Sequence, residues 1–297
     1  MSNPTDTGIE IVRTSRLTSA LRTSRRLIRQ KPLGFVGALL LLFVGVLAVL
    51  APWVAPVDPN TLTVDFLQGP SAAHWLGTDT TGRDVFSRVV WGGRVSLLVG
   101  VTATLLGTGT GAIIAVVTSY WGGKVDIIAQ RFMDILWAFP SLIVAMVLVF
   151  VIGSSTRNVI FAISIVVIPS AARVVRSQVL SVKEMEYTTA ARAIGAGDWR
   201  IMLHHITRNC MAPYIIVASI TLGGAITTEA SLSFLGMGIP PPTPSWGRDL
   251  FGAARQYAEL APWMAIAPGV ALSLAVYGFN LLGDAVRDVL DPRLRSA

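Results

Sequence analysis

The sequence predicts an all-α, polytopic membrane protein with six transmembrane helices and a shaped helical segment that projects from one side of the membrane. Its residues are 53% hydrophobic and 14% charged, whereas a soluble domain carries about 25% charged residues. The apolar residues form long uninterrupted runs, and the Lys and Arg residues concentrate between alternate runs. Both patterns are typical of a chain that crosses the bilayer several times.

Five runs contain no Asp, Glu, Lys or Arg: residues 32–57, 95–123, 135–156, 210–228 and 260–283. A helix needs about 20 predominantly apolar residues to cross the hydrocarbon, so each run predicts one span. A sixth run, 158–172, contains Pro169 and is followed by Arg173. Val174 and Val175 extend this run if Arg173 faces a partner group or snorkels.

The first run predicts a retained anchor, because its charge-free stretch exceeds the roughly 7–15 apolar residues of a signal peptide. The single cysteine, Cys210, excludes an intrachain disulfide and a multi-cysteine metal site. No His, Asp or Glu spacing indicates a metal site either, and His74, His204 and His205 are interpreted as solvated side chains.

The distribution of basic residues predicts the orientation. Residues 1–31 carry seven Lys or Arg, and eighteen of the 24 Lys and Arg fall on the same proposed side of the membrane. The positive-inside rule therefore places both termini in the cytoplasm. The predicted segments are a basic N-terminal segment (1–31) and a six-helix transmembrane domain (32–297). The domain contains an extracytoplasmic loop (55–94), a cytoplasmic loop (173–210) and a cytoplasmic tail (284–297). The basic N-terminus is interpreted as a topology signal and a contact for anionic lipid, not as a nucleic acid site.

The cytoplasmic loop predicts a helix, a tight turn and a second helix. Residues 185–194 are rich in helix formers, and Gly195 with Ala196 suits a left-handed helix stop. Asp198 suits an N-cap for the next helix, "WRIMLHHI". The residues alone leave two interpretations open. The segment is either a surface for another protein or an amphipathic connector lying on the bilayer.

The stretch "TAARAIGAGDWRIMLHHI" resembles the EAA loop of ABC-importer permeases, whose coupling helix docks onto the ATPase. The pattern is matched at Ala190, Ala191, Gly195 and Ile206. Thr189 replaces the usual Glu, and Thr207 with Arg208 replaces the usual Leu-Pro. Glu186 lies nearby but not at the equivalent position. The resemblance implies that Glu186, Thr189, Ala190, Ala191, Gly195, Ala196, Asp198 and Ile206 belong to an ATPase-coupling loop.

Three further stretches, "HWLGTDTTGRDVFSRVVWGGRVSL", "TEASLSFLGMGIPPPTPSWG" and "FNLLGDAVRDVLDPRLR", are similar to the C-type subunits of the dipeptide/oligopeptide permease family. The resemblance runs from about residue 30 to the end. It implies a type I ABC importer permease in the inner or plasma membrane. It also implies four partners: a homologous second permease, two ATPase subunits and an extracytoplasmic solute-binding protein. Members of this family carry dipeptides, oligopeptides, nickel chelates, glutathione or haem, so the substrate stays open.

The chain is not expected to be an enzyme. It lacks the sequence G-x-x-x-x-G-K-[ST], whose loop cradles nucleotide phosphates. ATP and Mg are therefore expected on partner subunits, with no cofactor on this chain. An ion-coupled transporter is a remote alternative, because it would need charged groups near the midplane of the spans. A membrane-anchored scaffold would not explain the shaped cytoplasmic segment.

Several features are expected to lie on the opposite side of the membrane. Residues 82–97 suggest an interfacial amphipathic helix or a contact for the binding protein. Glu229 is expected near the outer end of span five within reach of water, with either a structural or a gating role. The stiff outer loop carries Pro240, Pro241, Pro242 and Trp246, and either braces a gate or is a rigid return. The glycines of "LGTGTGA" (106–112) indicate tight helix packing or a hinge.

Overall fold

A computed structural model describes residues 32–257 and 259–290, with the backbone alone over 252–256. These residues form helices and loops without a named strand. The helices are α1 (Pro32–Val49), α2 (Ala51–Val54), α3 (Val85–Trp121), α4 (Gly123–Ala138), α5 (Ser141–Ile152), α6 (Thr156–Lys183), α7 (Glu186–Ala193), α8 (Asp198–Phe234), α9 (Trp246–Gln256) and α10 (Trp263–Leu290).

The described residues contain six candidate spans when the pair α4–α5 is counted as one. Helices α1, α3, α6, α8 and α10 are each long and apolar enough to cross a membrane. Helices α4 and α5 pass the same test together but are bent by 94°. The bend falls at Phe139, which is extended (φ −104°, ψ 147°) because the following Pro140 disfavours helical backbone in the residue before it.

The connections between the long helices lie at two opposite ends of the bundle. The 184–197 connection lies between α6 and α8, at what is here called the coupling end. Residues 55–84 and 236–262 lie at the opposite end, where α3 and α10 begin and α8 stops. The long opposite-end loop is tied to the bundle: the Trp263 indole N–H donates to the Thr78 carbonyl oxygen at 3.2 Å.

Helix α3 is the centre of the bundle and packs most extensively along α6. Gly107 and Gly111 permit this approach, because a Cβ atom at either would lie 2.5 Å from a carbonyl oxygen of α6, that of Ser164 or Ile168. Small residues that bring backbones together are the usual basis of helix packing in lipid. The structure therefore supports the packing interpretation of "LGTGTGA".

Helical structure extends into segments predicted as loops. Helix α3 begins at Val85 because the Asp84 carboxylate caps it, accepting from the Ser87 N–H at 2.8 Å. No separate interfacial helix forms over 82–97, and Val85 and Arg88 are buried inside the protein. Residues 173–183 continue α6, 198–210 begin α8, and 284–290 continue α10. The predicted N-terminal segment 1–31 and tail residues 291–297 lie outside the described residues.

Candidate coupling surface and outer segment

Helix α7, which is the predicted coupling helix, is held against the ends of the spans by its buried face. Thr188 is fully buried, and its hydroxyl donates to the Val182 carbonyl oxygen at 2.9 Å. Ala191 is also buried and belongs to a core cluster with Val179, Val182 and Ile201. The cluster joins α3, α6, α7 and the start of α8. It therefore fixes α7 to the transmembrane helices.

A glycine turn ends α7 as predicted. Gly195 has φ +84°, in the left-handed region that glycine adopts without steric cost. The Gly195 N–H donates to the Arg192 carbonyl oxygen at 2.9 Å, and the Ala196 N–H donates to the Ala191 carbonyl oxygen at 3.0 Å. This pair of bonds is the Schellman motif that satisfies the last carbonyl groups of a helix.

The second helix starts differently from the prediction. Gly197 is the N-cap of α8 and no side chain caps it, so the assignment of Asp198 as N-cap is wrong. The Asp198 carboxylate instead accepts a hydrogen bond from the Tyr120 hydroxyl at 2.6 Å. Beside it, the Trp121 and Trp199 rings meet edge to face with centroids 6.1 Å apart. The end of α3 is thus joined to the start of α8.

The turn and α7 expose a surface that mixes apolar and polar residues, here called the coupling surface: Glu186, Thr189, Ala190, Ile194, Gly195 and Trp199. Ile194 is 86% exposed and Trp199 is 64% exposed. Nothing lies within 4 Å of a Cβ atom built on Gly195. Exposed apolar side chains of this kind mark a contact with another protein or with a membrane.

Two of the predicted coupling residues do not reach this surface. Ala191 is 7% exposed and Ile206 is fully buried, both within the core cluster. The small size of Ala191 therefore serves packing inside this chain, and not close approach of a partner. Ala196 is half-buried. Sequence reasoning also missed Tyr120 and Trp121, which lie far from the loop in sequence and carried no local signal.

Charged pairs brace the same end of the bundle. The Arg176 guanidinium binds the Asp126 carboxylate, with Nη2 2.7 Å from Oδ2. The Arg173 Nη2 atom lies 3.0 Å from Asp134 Oδ1, and its guanidinium carbon lies 3.8 Å from the centre of the Trp137 ring. Both pairs join α4 to α6, so Arg173 does face a partner group.

Glu229 is fully buried, which contradicts the expectation that water reaches it. Its Oε1 atom accepts from the Ser233 hydroxyl at 2.8 Å. The Ser96 and Ser245 hydroxyls lie nearby, yet Oε2 accepts no hydrogen bond within the described part of the chain. Glu229 is enclosed because the segment after α8 folds back over it, which hydropathy does not reveal.

Trp246 anchors that returning segment. Its side chain is 1% exposed, and the indole N–H donates to the Val89 carbonyl oxygen at 2.9 Å. Gly93 leaves room for the ring, since a Cβ atom there would lie 2.9 Å from it. The prolines behave differently. Pro240 is half-buried, while Pro241 and Pro242 are exposed and line a cavity at the opposite end.

His74 is not a solvated side chain. It is 12% exposed, and its Nδ1 atom lies 3.0 Å from the Asp84 carboxylate. The imidazole therefore helps to hold the opposite-end loop against the first turn of α3.

These features define a polytopic helical membrane protein of the transport-permease type, with an exposed helical turn at one end. A family model described as "Binding-protein-dependent transport system inner membrane component" matches residues 107–296. A second, "N-terminal TM domain of oligopeptide transport permease C", matches residues 19–70. The chain belongs to the family of inner membrane components of binding-protein-dependent transport systems, which are ABC transporters of the type I permease fold.

Curated relatives match along nearly the whole chain. A dipeptide transport system permease protein of Alkalihalophilus pseudofirmus is 39% identical over 279 residues, covering 94% of this chain and 91% of that protein. A glutathione transport system permease protein of Pectobacterium atrosepticum is 41% identical, covering 92% and 90%. A putative peptide transport system permease protein of Brucella suis is 41% identical, covering 92% of each.

Proposed function

We propose that this chain is the permease subunit of an ATP-driven importer for peptides and forms the translocation path with a second, homologous permease. The observation that carries the proposal is the coupling surface. Ile194 and Trp199 are exposed on a turn whose other face is built into the core of the bundle. Force applied to this turn reaches α3, α6 and α8 directly, because Tyr120, Val182 and Ile201 join them to it.

The energy is proposed to come from two partner ATPases that carry ATP and Mg. The chain has no phosphate-binding loop of the Walker type. Closure of the ATPases would push on the coupling surface and rock the helices as rigid bodies, giving alternating access. Glu186, Thr189, Ala190, Gly195 and Asp198 are the proposed coupling residues.

Peptides are the proposed substrate class because the relatives named for dipeptides and for peptides match nearly the full length of the chain. Glutathione is the alternative that a relative also supports. Nickel chelates and haem are further alternatives from the family resemblance. An extracytoplasmic solute-binding protein is proposed to deliver the substrate, since the family depends on such proteins.

The proposed orientation places the coupling end and both termini in the cytoplasm. It rests on the distribution of Lys and Arg, eighteen of which fall on that side. Under this orientation residues 55–84 and 236–262 face outward, where a binding protein arrives.

The test is reconstitution. The chain, co-expressed with its second permease and ATPases, should co-purify with the ATPases and take up labelled peptide in proteoliposomes when binding protein and ATP are supplied. The purified chain alone should show no ATP hydrolysis above an empty-vector preparation. Hydrolysis by the chain alone, or uptake that needs an ion gradient and no ATPase, would refute the proposal.

A further inference from the structure

The opposite end of the bundle contains a partly enclosed cavity of about 240 Å³. Its walls come from four separate segments: the residues just before and at the start of α3, residues 241–243, the start of α9 and the start of α10. Three guanidinium groups and two carboxylates line it, those of Arg83, Arg88, Arg248, Asp79 and Asp249.

The first charge pair is built into the wall. Asp79 Oδ2 accepts from Arg83 Nε at 2.8 Å, and Asp79 Oδ1 accepts from the backbone N–H groups of Thr81 and Arg83. Burial acts to raise the pKa of Asp79, but the hydrogen bonds from Thr81 and Arg83 outweigh it and hold the pKa below its usual value. Asp79 is therefore an ionised carboxylate that is paired with Arg83.

The second charge pair, between Arg88 and Asp249, is more deeply buried. Arg88 is 5% exposed, binds Asp249 of α9 through Nε at 2.9 Å and through Nη2, and donates from Nη1 to the Pro59 carbonyl oxygen at 3.2 Å. The second Asp249 oxygen, Oδ2, is also buried and accepts no hydrogen bond from the residues that the structure describes. This pair fastens α9 to α3 and engages all three nitrogens of the Arg88 guanidinium.

Arg248 is different, because its guanidinium has no carboxylate within ion-pair distance among the residues that the structure describes. The guanidinium carbon of Arg248 lies 5.6 Å from the centre of the Phe251 ring. The side chain is half-buried. Among the described residues that line the cavity there are three guanidinium groups and two carboxylates, so one positive charge is in excess, and Arg248 is the guanidinium without a carboxylate partner.

We propose that this cavity receives an acidic side chain of the extracytoplasmic binding protein, with Arg248 binding its carboxylate. The chemistry follows from the unpaired guanidinium, whose planar fork suits a carboxylate. The volume favours a single side chain, because pockets for whole small-molecule ligands occupy about 300–1,000 Å³. The exposed Pro241 and Pro242 form a stiff wall, so the cavity is formed before the partner arrives.

This inference rests on the proposed function, since it requires a binding protein at this end of the chain. It goes beyond that function by locating one contact and its chemistry. The carboxylate of a transported peptide has the same chemistry as an acidic side chain, so the experiment must separate the two.

The experiment measures the affinity of the binding protein for the assembled transporter in nanodiscs. Arg248→Gln should weaken the Kd about tenfold, as expected for loss of one charge-assisted contact, and Arg248→Glu should weaken it further. The affinity of the wild type should fall with added salt, and that of Arg248→Gln should fall less. Arg157→Glu is the matched control, because Arg157 is an exposed guanidinium at the same end that does not line the cavity. Its Kd should stay within about twofold of wild type.

Charge reversal identifies the partner group. Acidic surface residues of the binding protein are changed one at a time to Lys, and one of them should restore binding to Arg248→Glu. Elution of each assembled complex as a single species on size exclusion separates loss of the contact from loss of folding. An unchanged Kd for Arg248→Gln overturns the inference. A changed KM for peptide uptake with an unchanged Kd also overturns it and assigns the cavity to peptide. Absence of binding-protein-stimulated ATP hydrolysis in the wild type would instead refute the proposed function.

Discussion

The Tyr120 hydroxyl donates a 2.6 Å hydrogen bond to the Asp198 carboxylate across 78 positions of sequence. The Tyr120 ring is buried, whereas Asp198 lies at the exposed start of α8. The contact joins the last turn of α3 to the segment that follows the coupling turn. It is a direct mechanical link between the coupling surface and the helix at the centre of the bundle.

We predict that Tyr120→Phe loosens this link without unfolding the chain. Losing one hydrogen bond to a carboxylate at a partly exposed site should cost about 1–2 kcal/mol. The expected result is a lower ratio of peptide transported to ATP hydrolysed, with expression close to wild type. Asp198→Asn keeps an acceptor and should have a smaller effect than Asp198→Ala. Equal ratios for wild type and Tyr120→Phe would contradict a role in transmission.

Substitutions at Gly195 distinguish the effect of backbone strain from the effect of contact with the ATPase. Its φ of +84° strains any residue with a Cβ atom, by about 1–2 kcal/mol, but the surrounding space is open. Gly195→Asn should be nearly tolerated, because Asn adopts left-handed backbone more readily than other residues. Gly195→Ala should show the strain alone.

Gly195→Glu should add to that strain an unpaired carboxylate buried against the ATPase, which costs on the order of several kcal/mol. The measurements are co-purification of the ATPase and binding-protein-stimulated ATP hydrolysis in liposomes, with expression level as the control. Wild-type assembly and transport by Gly195→Glu would show that the turn is only a connector.

Gly111 should be far less tolerant of substitution than Gly109. A Cβ atom at Gly111 would lie 2.5 Å from the Ile168 carbonyl oxygen, whereas the nearest atom to one at Gly109 is the Tyr214 hydroxyl at 3.9 Å. Gly111→Ala should therefore force α3 and α6 apart and cost about 1–3 kcal/mol. Gly109→Ala should be neutral or slightly stabilising, since Ala favours helix over Gly by about 1 kcal/mol. Thermal unfolding of the two purified variants tests this, and equal melting temperatures would refute the packing argument.

Glu229 should contribute to the stability of the fold through hydrogen bonding inside the protein. Glu229→Gln keeps the shape and an acceptor for Ser233, so the melting temperature should change little. Glu229→Ala leaves a cavity and an unpaired hydroxyl, at a cost of about 1–3 kcal/mol. Glu259→Gln, at an exposed position, controls for loss of an acidic charge at this end of the chain. Loss of transport by Glu229→Gln with unchanged stability would indicate a gating role instead.

The topology is tested by cysteine labelling. The buried Cys210 is first changed to Ala, and single cysteines are then introduced as Ser2→Cys, Ser296→Cys and Asn60→Cys. A membrane-impermeant maleimide should label only Asn60→Cys in intact cells, because Asn60 is exposed in the opposite-end loop. Labelling of Ser2→Cys or Ser296→Cys from outside would contradict the orientation.

The sequence by itself determined the membrane class and the coupling turn. Charge-free runs have one stable environment, since an apolar segment of about 20 residues satisfies its backbone as a helix in lipid. The helix stop at Gly195 could also be predicted, because a glycine after a run of helix formers is a local signal for a left-handed residue that ends the helix. The three long motifs at 74–97, 228–247 and 279–295 carried the family resemblance, and the family match confirmed it.

Only the tertiary structure decided which side chains face a neighbour. Ala191 and Ile206 matched the coupling pattern but lie in the core, and Asp198 binds Tyr120 where the sequence indicated a cap. Glu229 was expected within reach of water, and Arg88 lies in the segment predicted as an interfacial helix, yet both side chains are buried. The reason is physical. In a membrane helix the lipid-facing and the buried sides are both apolar, so periodicity does not distinguish them, and pairings between distant segments leave no local trace in the sequence.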